Sequence, residues 1–216
     1  MTNFQLCLIR ETGVPETDVN LPPCWRTVWL AGGGLRLDGQ ELEPGGSLFS
    51  SGPLAVSGGT DAGADWLRFE LLAAGAEPKL LPSSQLLSRQ DITVSEDEVL
   101  LRLDQVSFPP AAIAYRHVHP GPGIRYLVKG RLELTSDHGS EVARPGHAWF
   151  EAENSPVRAV ADADLAETSF VRFMVLPVAC AGRPTINILD ASDAAKPRRQ
   201  VTQRFVDQKV RLAQDL

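Results

Sequence analysis

The chain has 216 residues, enough for one large fold or for two small barrels with cores of their own. Its 21 Lys and Arg stand against 27 Asp and Glu, and a net charge of −6 offers no basic footprint for nucleic acid or an anionic membrane. No apolar run approaches the roughly 20 residues of a membrane span, and the opening MTNFQLCLIRETG lacks a basic stretch followed by a long apolar one; a cytoplasmic protein without nucleic-acid or membrane partners is expected.

Eighteen Gly and 16 Pro cut the chain into short runs of alternating apolar residues, which predicts an all-β fold. In chain order, Val28-Trp29-Leu30 leads through Gly33 to Leu35-Arg36-Leu37, then Pro44-Gly45, Leu48-Phe49, Pro53 and a strand Trp66–Leu72. About a hundred residues later the same landmarks return in order: Tyr126-Leu127-Val128, Gly130, Leu132-Glu133-Leu134, Pro145-Gly146, Trp149-Phe150, Pro156 and Phe170–Leu176. The offset drifts only from 97 (Leu35 to Leu132) to 104 (Arg68 to Arg172), which predicts a duplication. Each repeat reads as strand, Gly turn, strand, Pro-Gly turn, strand, loop, strand, the pattern of an antiparallel jelly roll that protects its edges by closing. The expected organisation is residues 1–76 as an N-terminal repeat, 77–185 as a second barrel that takes in the strand-like LLSRQDITVSEDEVLLRLDQVSFPP, and 186–216 as a tail ending in an edge strand or a docking helix. Cys7, Cys24 and Cys180 are odd in number and fit no CxxC spacing, so reduced thiols are expected.

All four histidines fall in one 31-residue window of the second repeat, from His117 to His147. In AYRHVHPGPGIRYLVKG, His117 and His119 are two apart on a strand and project from one face. Paired neutral imidazoles on a barrel wall suit a first-row divalent metal; the alternative is a hydrogen-bonded pair without one. Arg125 is placed to face the same cavity, as a guanidinium for a substrate carboxylate or as a structural ion-pair partner. Its charge opposes a metal unless an anion lies between them. Arg68 and Arg172 recur at matching positions, which points to structural roles for both.

Together these residues resemble the cupin superfamily. Its first motif runs Gly, HxH, three or four residues, Glu, six residues, Gly; its second carries a Pro-Gly or Pro-x-Gly turn and then a His. His117, His119 and Gly130 match the first motif, and Pro145-Gly146 with Pro156 matches the frame of the second. Two positions depart: Gly123 stands where the Glu belongs and Val157 where the second-motif His belongs. In the first repeat the region equivalent to HVH reads Asn20-Leu21-Pro22, so that barrel is expected to be a scaffold. Replacement ligands could come from Glu151, His147 or Glu153, with Glu151 the first candidate and the edge of a solvated loop its other role.

The resemblance implies a duplicated jelly-roll protein, a homodimer, and a metal-dependent enzyme of dioxygenase type. His117, His119 and Glu151 would hold a divalent metal, Fe(II) first and Mn, Ni or Zn as alternatives. Arg125 would act catalytically and bind a small carboxylate substrate beside Trp149 or Phe150. Isomerases and lyases use the same barrel. A rival expectation is a metal-poor protein that binds or senses a small acid through Arg125 and the histidines.

Overall fold

The computed structural model describes residues 1–58 and 63–212; residues 213–216 of the expected tail lie outside the described residues. The chain divides into two compact units, Met1–Glu98 with the chain end from Val210, and Val99–Lys209. No described helix is long and apolar enough to cross a membrane.

The first unit is built from β1 (Thr2–Thr12), β2 (Val19–Leu21), β3 (Trp25–Gly32), β4 (Leu35–Leu37), β5 (Gln40–Leu42), β6 (Ser47–Ser50), β7 (Leu54–Val56), β8 (Asp65–Ala73) and β9 (Ser84–Val94). Five of them pair in the order β6-β3-β8-β1-β9 and the other four as β2-β7-β4-β5. The second unit holds β10 (Glu98–Phe108), β11 (Ile113–Val118), β12 (Gly123–Lys129), β13 (Leu132–Ser136), β14 (Gly139–Ala143), β15 (Ala148–Glu151), β16 (Val157–Ala161), β17 (Thr168–Pro177), β18 (Asn187–Ile188) and most of β19 (Val201–Arg211). Its sheets run β15-β12-β17-β10-β19 and β14-β13-β16-β11-β18. The strand order of the first unit thus returns in the second, with β12, β15 and β17 in the places of β3, β6 and β8.

One expectation about connectivity needs correction. Residues 84–94 form a strand as their alternation predicts, but β9 pairs antiparallel with β1, so they lie in the first unit and not in the second barrel. Alternation marks a strand without naming its partner. Of the two forms expected for the tail it takes the edge strand, beside β10, and among the described residues its α-helix is the single turn Ala191–Ala194. Gly130 closes the turn between β12 and β13 at φ 84°, and a Cβ there would lie 2.6 Å from Glu167 O, so only glycine fits.

The interiors of the two units differ. The first has an apolar core, in which Leu21, Val28, Leu35, Leu37, Val56 and Trp66 form one buried cluster, with a pocket of about 460 Å³ at its edge beside Leu35 and Leu42. Beside it, Arg68 donates to Glu11 and Glu70, and Arg26 donates to Glu70 at 2.6 Å, all four essentially without exposure. Two guanidiniums meet two carboxylates, which closes the charge balance, and the structure gives Arg68 the structural place its recurrence suggested. In the β2–β7 ladder Val19 faces Val56, whereas in the β11–β16 ladder Ala114 faces Ala159. The smaller pair leaves more room between the sheets of the second unit.

Candidate functional site

Between the sheets of the second unit lies a cavity of about 490 Å³. Its charged lining comprises Arg102, Arg125, Arg172, Arg198 and Arg204 against Asp104 and Glu151. Asp207 neutralises Arg102 at 2.8 Å, yet guanidiniums still outnumber carboxylates. The cavity is cationic although the chain is acidic, and field lines in such an enclosure favour an anion.

β11 and the turn after it bring His117 and His119 together, 5% and 3% exposed. A register shift after Ala114 re-aims β11 so that His117 lies opposite Val157 of β16. His117 Nδ1 donates to Tyr115 O at 2.7 Å and His119 Nδ1 to Thr185 O at 3.0 Å. A carbonyl only accepts, so both protons sit on Nδ1 and both Nε2 atoms carry bare lone pairs. Those Nε2 atoms face each other at 3.2 Å.

Both imidazoles are held neutral. Burial pushes His117 below its ordinary value, with the nearby Glu151 opposing in part. Burial also pushes His119 well below, helped by the guanidiniums of Arg172 and Arg125. Unfolded histidine titrates near about 6.5, so below that pH the unfolded chain takes up protons that the folded chain refuses. Stability is then full above about pH 6.5 and falls as the pH drops toward the two lowered folded values. Thermal melts from pH 7.5 to 5.5 are expected to show a falling Tm, and a His117→Gln/His119→Gln variant a flatter slope; equal slopes would mean the rings titrate normally.

Arg125 extends from β12, opposite Arg172 on one side and Trp149 on the other. It is fully buried, and burial pushes its guanidinium down to about 10, still a cation at neutral pH. Its Nη1 donates to Gly123 O. Its Nη2 lies 2.7 Å from Glu151 Oε2, close enough for an ion pair but out of line for a hydrogen bond, so both atoms are buried without a hydrogen-bond partner. Glu151 Oε1 accepts from Trp149 Nε1 at 2.9 Å. Arg172 holds Asp104 through Nε at 2.6 Å and Nη2 at 3.1 Å, and turns Nη1 toward His119 Nε2 at 3.3 Å. Thr185 Oγ1, also buried in the lining, has no partner. A buried donor left open costs about 1–3 kcal/mol, and a ligand that meets it recovers that cost.

The expected ligand set of His117, His119 and Glu151 does not converge. Glu151 Oε2 is 3.9 Å from His119 Nε2 and belongs to Arg125 instead, and among the described residues no three His, Cys, Asp or Glu side chains group as a metal site. The two departures from the motif have visible causes. A Cβ on Gly123 would lie 2.6 Å from Phe173 O, 2.7 Å from Met174 Cγ and 3.1 Å from Arg125 Nη1, so β17 and the arginine leave no room for a glutamate. Val157 sits in the ladder where a histidine would enter the cavity, and presents an isopropyl group. The Nε2 separation of 3.2 Å lets both rings reach one ion at ordinary metal–nitrogen distances of about 2.0–2.1 Å. Beside those atoms stand Arg172 Nη1, 3.3 Å from His119 Nε2, and a Glu151 carboxylate already paired with Arg125, and this donor set does not fit a resident metal.

Of the residues expected near a substrate, Trp149 lines the cavity and Phe150 does not. Adjacent strand residues take opposite faces, and Phe150 turns to a separate pocket of about 90 Å³. His138 is exposed, while His147 pairs with Glu141 at 3.1 Å and stacks on Trp149. Sequence reasoning missed Asp104, Arg102 and Thr185 and gave Arg172 only a structural part. The run LLRLDQV carried a signal for two of them: Arg102 and Asp104 share a face of a buried strand, where charge needs a partner.

No family model matches the chain, and no curated protein matches it in sequence. Solved structures similar to it include the oxalate decarboxylase of Bacillus subtilis, at 12% identity over 91% of this chain and 72% of that chain, with a TM-score of 0.59. AerE of Microcystis aeruginosa matches at 12% identity over 82% and 88%, with a TM-score of 0.54. A cupin 2 conserved barrel domain protein of Leptotrichia buccalis matches at 12% identity over 81% and 85%, with a TM-score of 0.50. At such identities the likeness is one of fold.

Proposed function

We propose that this cupin-fold chain, a duplication with one apolar-cored barrel and one open barrel, binds a small organic acid in the cavity of its second unit. The observation that carries this reading is the orphaned Nη2 of Arg125, buried in a lining where arginines outnumber carboxylates. Arg172 has Asp104 and Arg125 has Glu151 as counter-charges, so the excess positive charge of the lining comes from Arg198 and Arg204; a ligand carboxylate supplies the in-line acceptor that Arg125 Nη2 lacks and offsets that excess. The Nε2 lone pair of His117 accepts from a donor on the ligand, that of His119 being met by Arg172 Nη1, and Thr185 Oγ1 adds a further contact. Binding to the folded state alone raises Tm with ligand concentration. Small carboxylates are expected to stabilise the protein in thermal-shift measurements while the matching primary amides do not; equal shifts would remove the charge from the account.

A second reading keeps the metal-dependent enzyme, with dioxygenase chemistry and Fe(II) first and Mn, Ni or Zn as alternatives. The observation in its favour is the facing Nε2 pair at 3.2 Å, and the structurally similar oxalate decarboxylase has Mn(II) centres. It requires stoichiometric metal on protein purified without a chelator or a His-tag, lost in a His117→Ala/His119→Ala variant.

A further inference from the structure

The walls of the cavity change character along its length. On β10 the inward positions run Arg102, Asp104, Val106, Phe108, from charged to aromatic in a single strand. The neighbouring strand repeats the gradient: Arg172 of β17 lies opposite Asp104, and Phe170 opposite Val106. The opposite sheet does the same. There His117 faces Val157 at one level, and at the next Ala114 and Leu134 both face Ala159.

The charged end is the one nearer solvent, because the exposed Arg204 and the buried Arg102 both donate to Arg183 O. The far end is closed by Phe108, Phe170 and Leu132, from 0% to 7% exposed. Water gains nothing there, since a water molecule needs two to four polar partners. A second carboxylate would find no donor either.

Resting on the acid-binding reading above, we infer that the ligand is an amphipathic monocarboxylate whose alkyl or aryl body fills the Phe108–Phe170–Leu134 end while its carboxylate meets Arg125 and Arg172. It enters body first. Short dianions such as oxalate match the charge of the cavity and leave its apolar half unfilled.

Calorimetric titration of the full chain with acetate, butyrate, hexanoate, octanoate, oxalate and malonate tests this. Affinity is expected to rise about fourfold per methylene until the closed end is full, with oxalate and malonate weaker than hexanoate. An affinity that is flat or falls with chain length, or oxalate as the tightest ligand, overturns the inference. Such length-independent binding, if lost in Arg125→Met, leaves the acid-binding reading standing; no binding by any acid overturns both. Ala159→Leu, which fills the closed end, is expected to weaken octanoate at least tenfold relative to acetate. The length series on the native chain decides the matter if that variant does not fold.

Discussion

Replacing Arg125 with Met lowers the affinity for a small carboxylate by about 10- to 150-fold, the equivalent of the roughly 1.5–3 kcal/mol of a hydrogen bond to a charged group. The methionine keeps most of the aliphatic stem and removes the guanidinium. It also leaves Glu151 Oε2, now 2.7 Å from Arg125 Nη2, without its cation. A carboxylate arriving in that cavity then meets a carboxylate, and repulsion deepens the loss. Titration calorimetry on the variant, with its folding checked by circular dichroism, gives the number. An unchanged affinity would make Arg125 a purely structural partner of Glu151.

The largest effect on stability is expected at Asp104. Its carboxylate takes both Nε and Nη2 of Arg172, and the side chains of the two residues are 2% and 10% exposed. Asp104→Asn removes the charge and leaves Arg172 uncompensated beside Arg125. Breaking a desolvated pair from one side costs about 3–5 kcal/mol, most of it the burden of the charge left behind. Urea denaturation is expected to show a loss of that order, partly recovered when a carboxylate ligand is present, because the ligand supplies a counter-charge. A loss below about 1 kcal/mol, the range of exposed pairs, would mean that water reaches Arg172 freely.

Much of the strand layout was legible in the sequence, because alternation and turn chemistry are local. Gly130 and Pro145-Gly146 lie in turns between strands as expected, and the cationic cavity lies in the unit that carries the histidines. Strand partnership is not local. The run from Ser84 to Val94 alternates equally well whether it joins the preceding unit or the following one, and only the ladder with β1 decides. The face assignment of Trp149 and Phe150 needed the same ladder: once Trp149 is opposite Arg125, Phe150 turns away.

Within the site, the HVH spacing announced two converging imidazoles, but the fate of Glu151 depended on competition between a metal and Arg125 for one carboxylate. Nothing in the spacing weighs that competition. The geometry does: Arg125 Nη2 is 2.7 Å from Glu151 Oε2, while His119 Nε2 is 3.9 Å away. Gly123 told more than its place in a motif suggested. A side chain there would meet Phe173 O and Met174 Cγ first and then Arg125 Nη1, which donates to the Gly123 carbonyl, so the packing of β17 and of Arg125 together requires glycine. Arg172 looked structural because it and Arg68 recur at matching positions. The same position does two jobs when one neighbour is Asp104 and the other is His119.

The central claim, that the second unit holds an organic acid through its arginines without a resident metal, is tested most directly by calorimetric titration of chelator-treated protein with hexanoate, before and after addition of Mn(II). One site per chain, with the same affinity in both titrations, is the predicted result. Binding that appears only after the metal is added would contradict the claim and make the facing Nε2 atoms of His117 and His119 a metal seat.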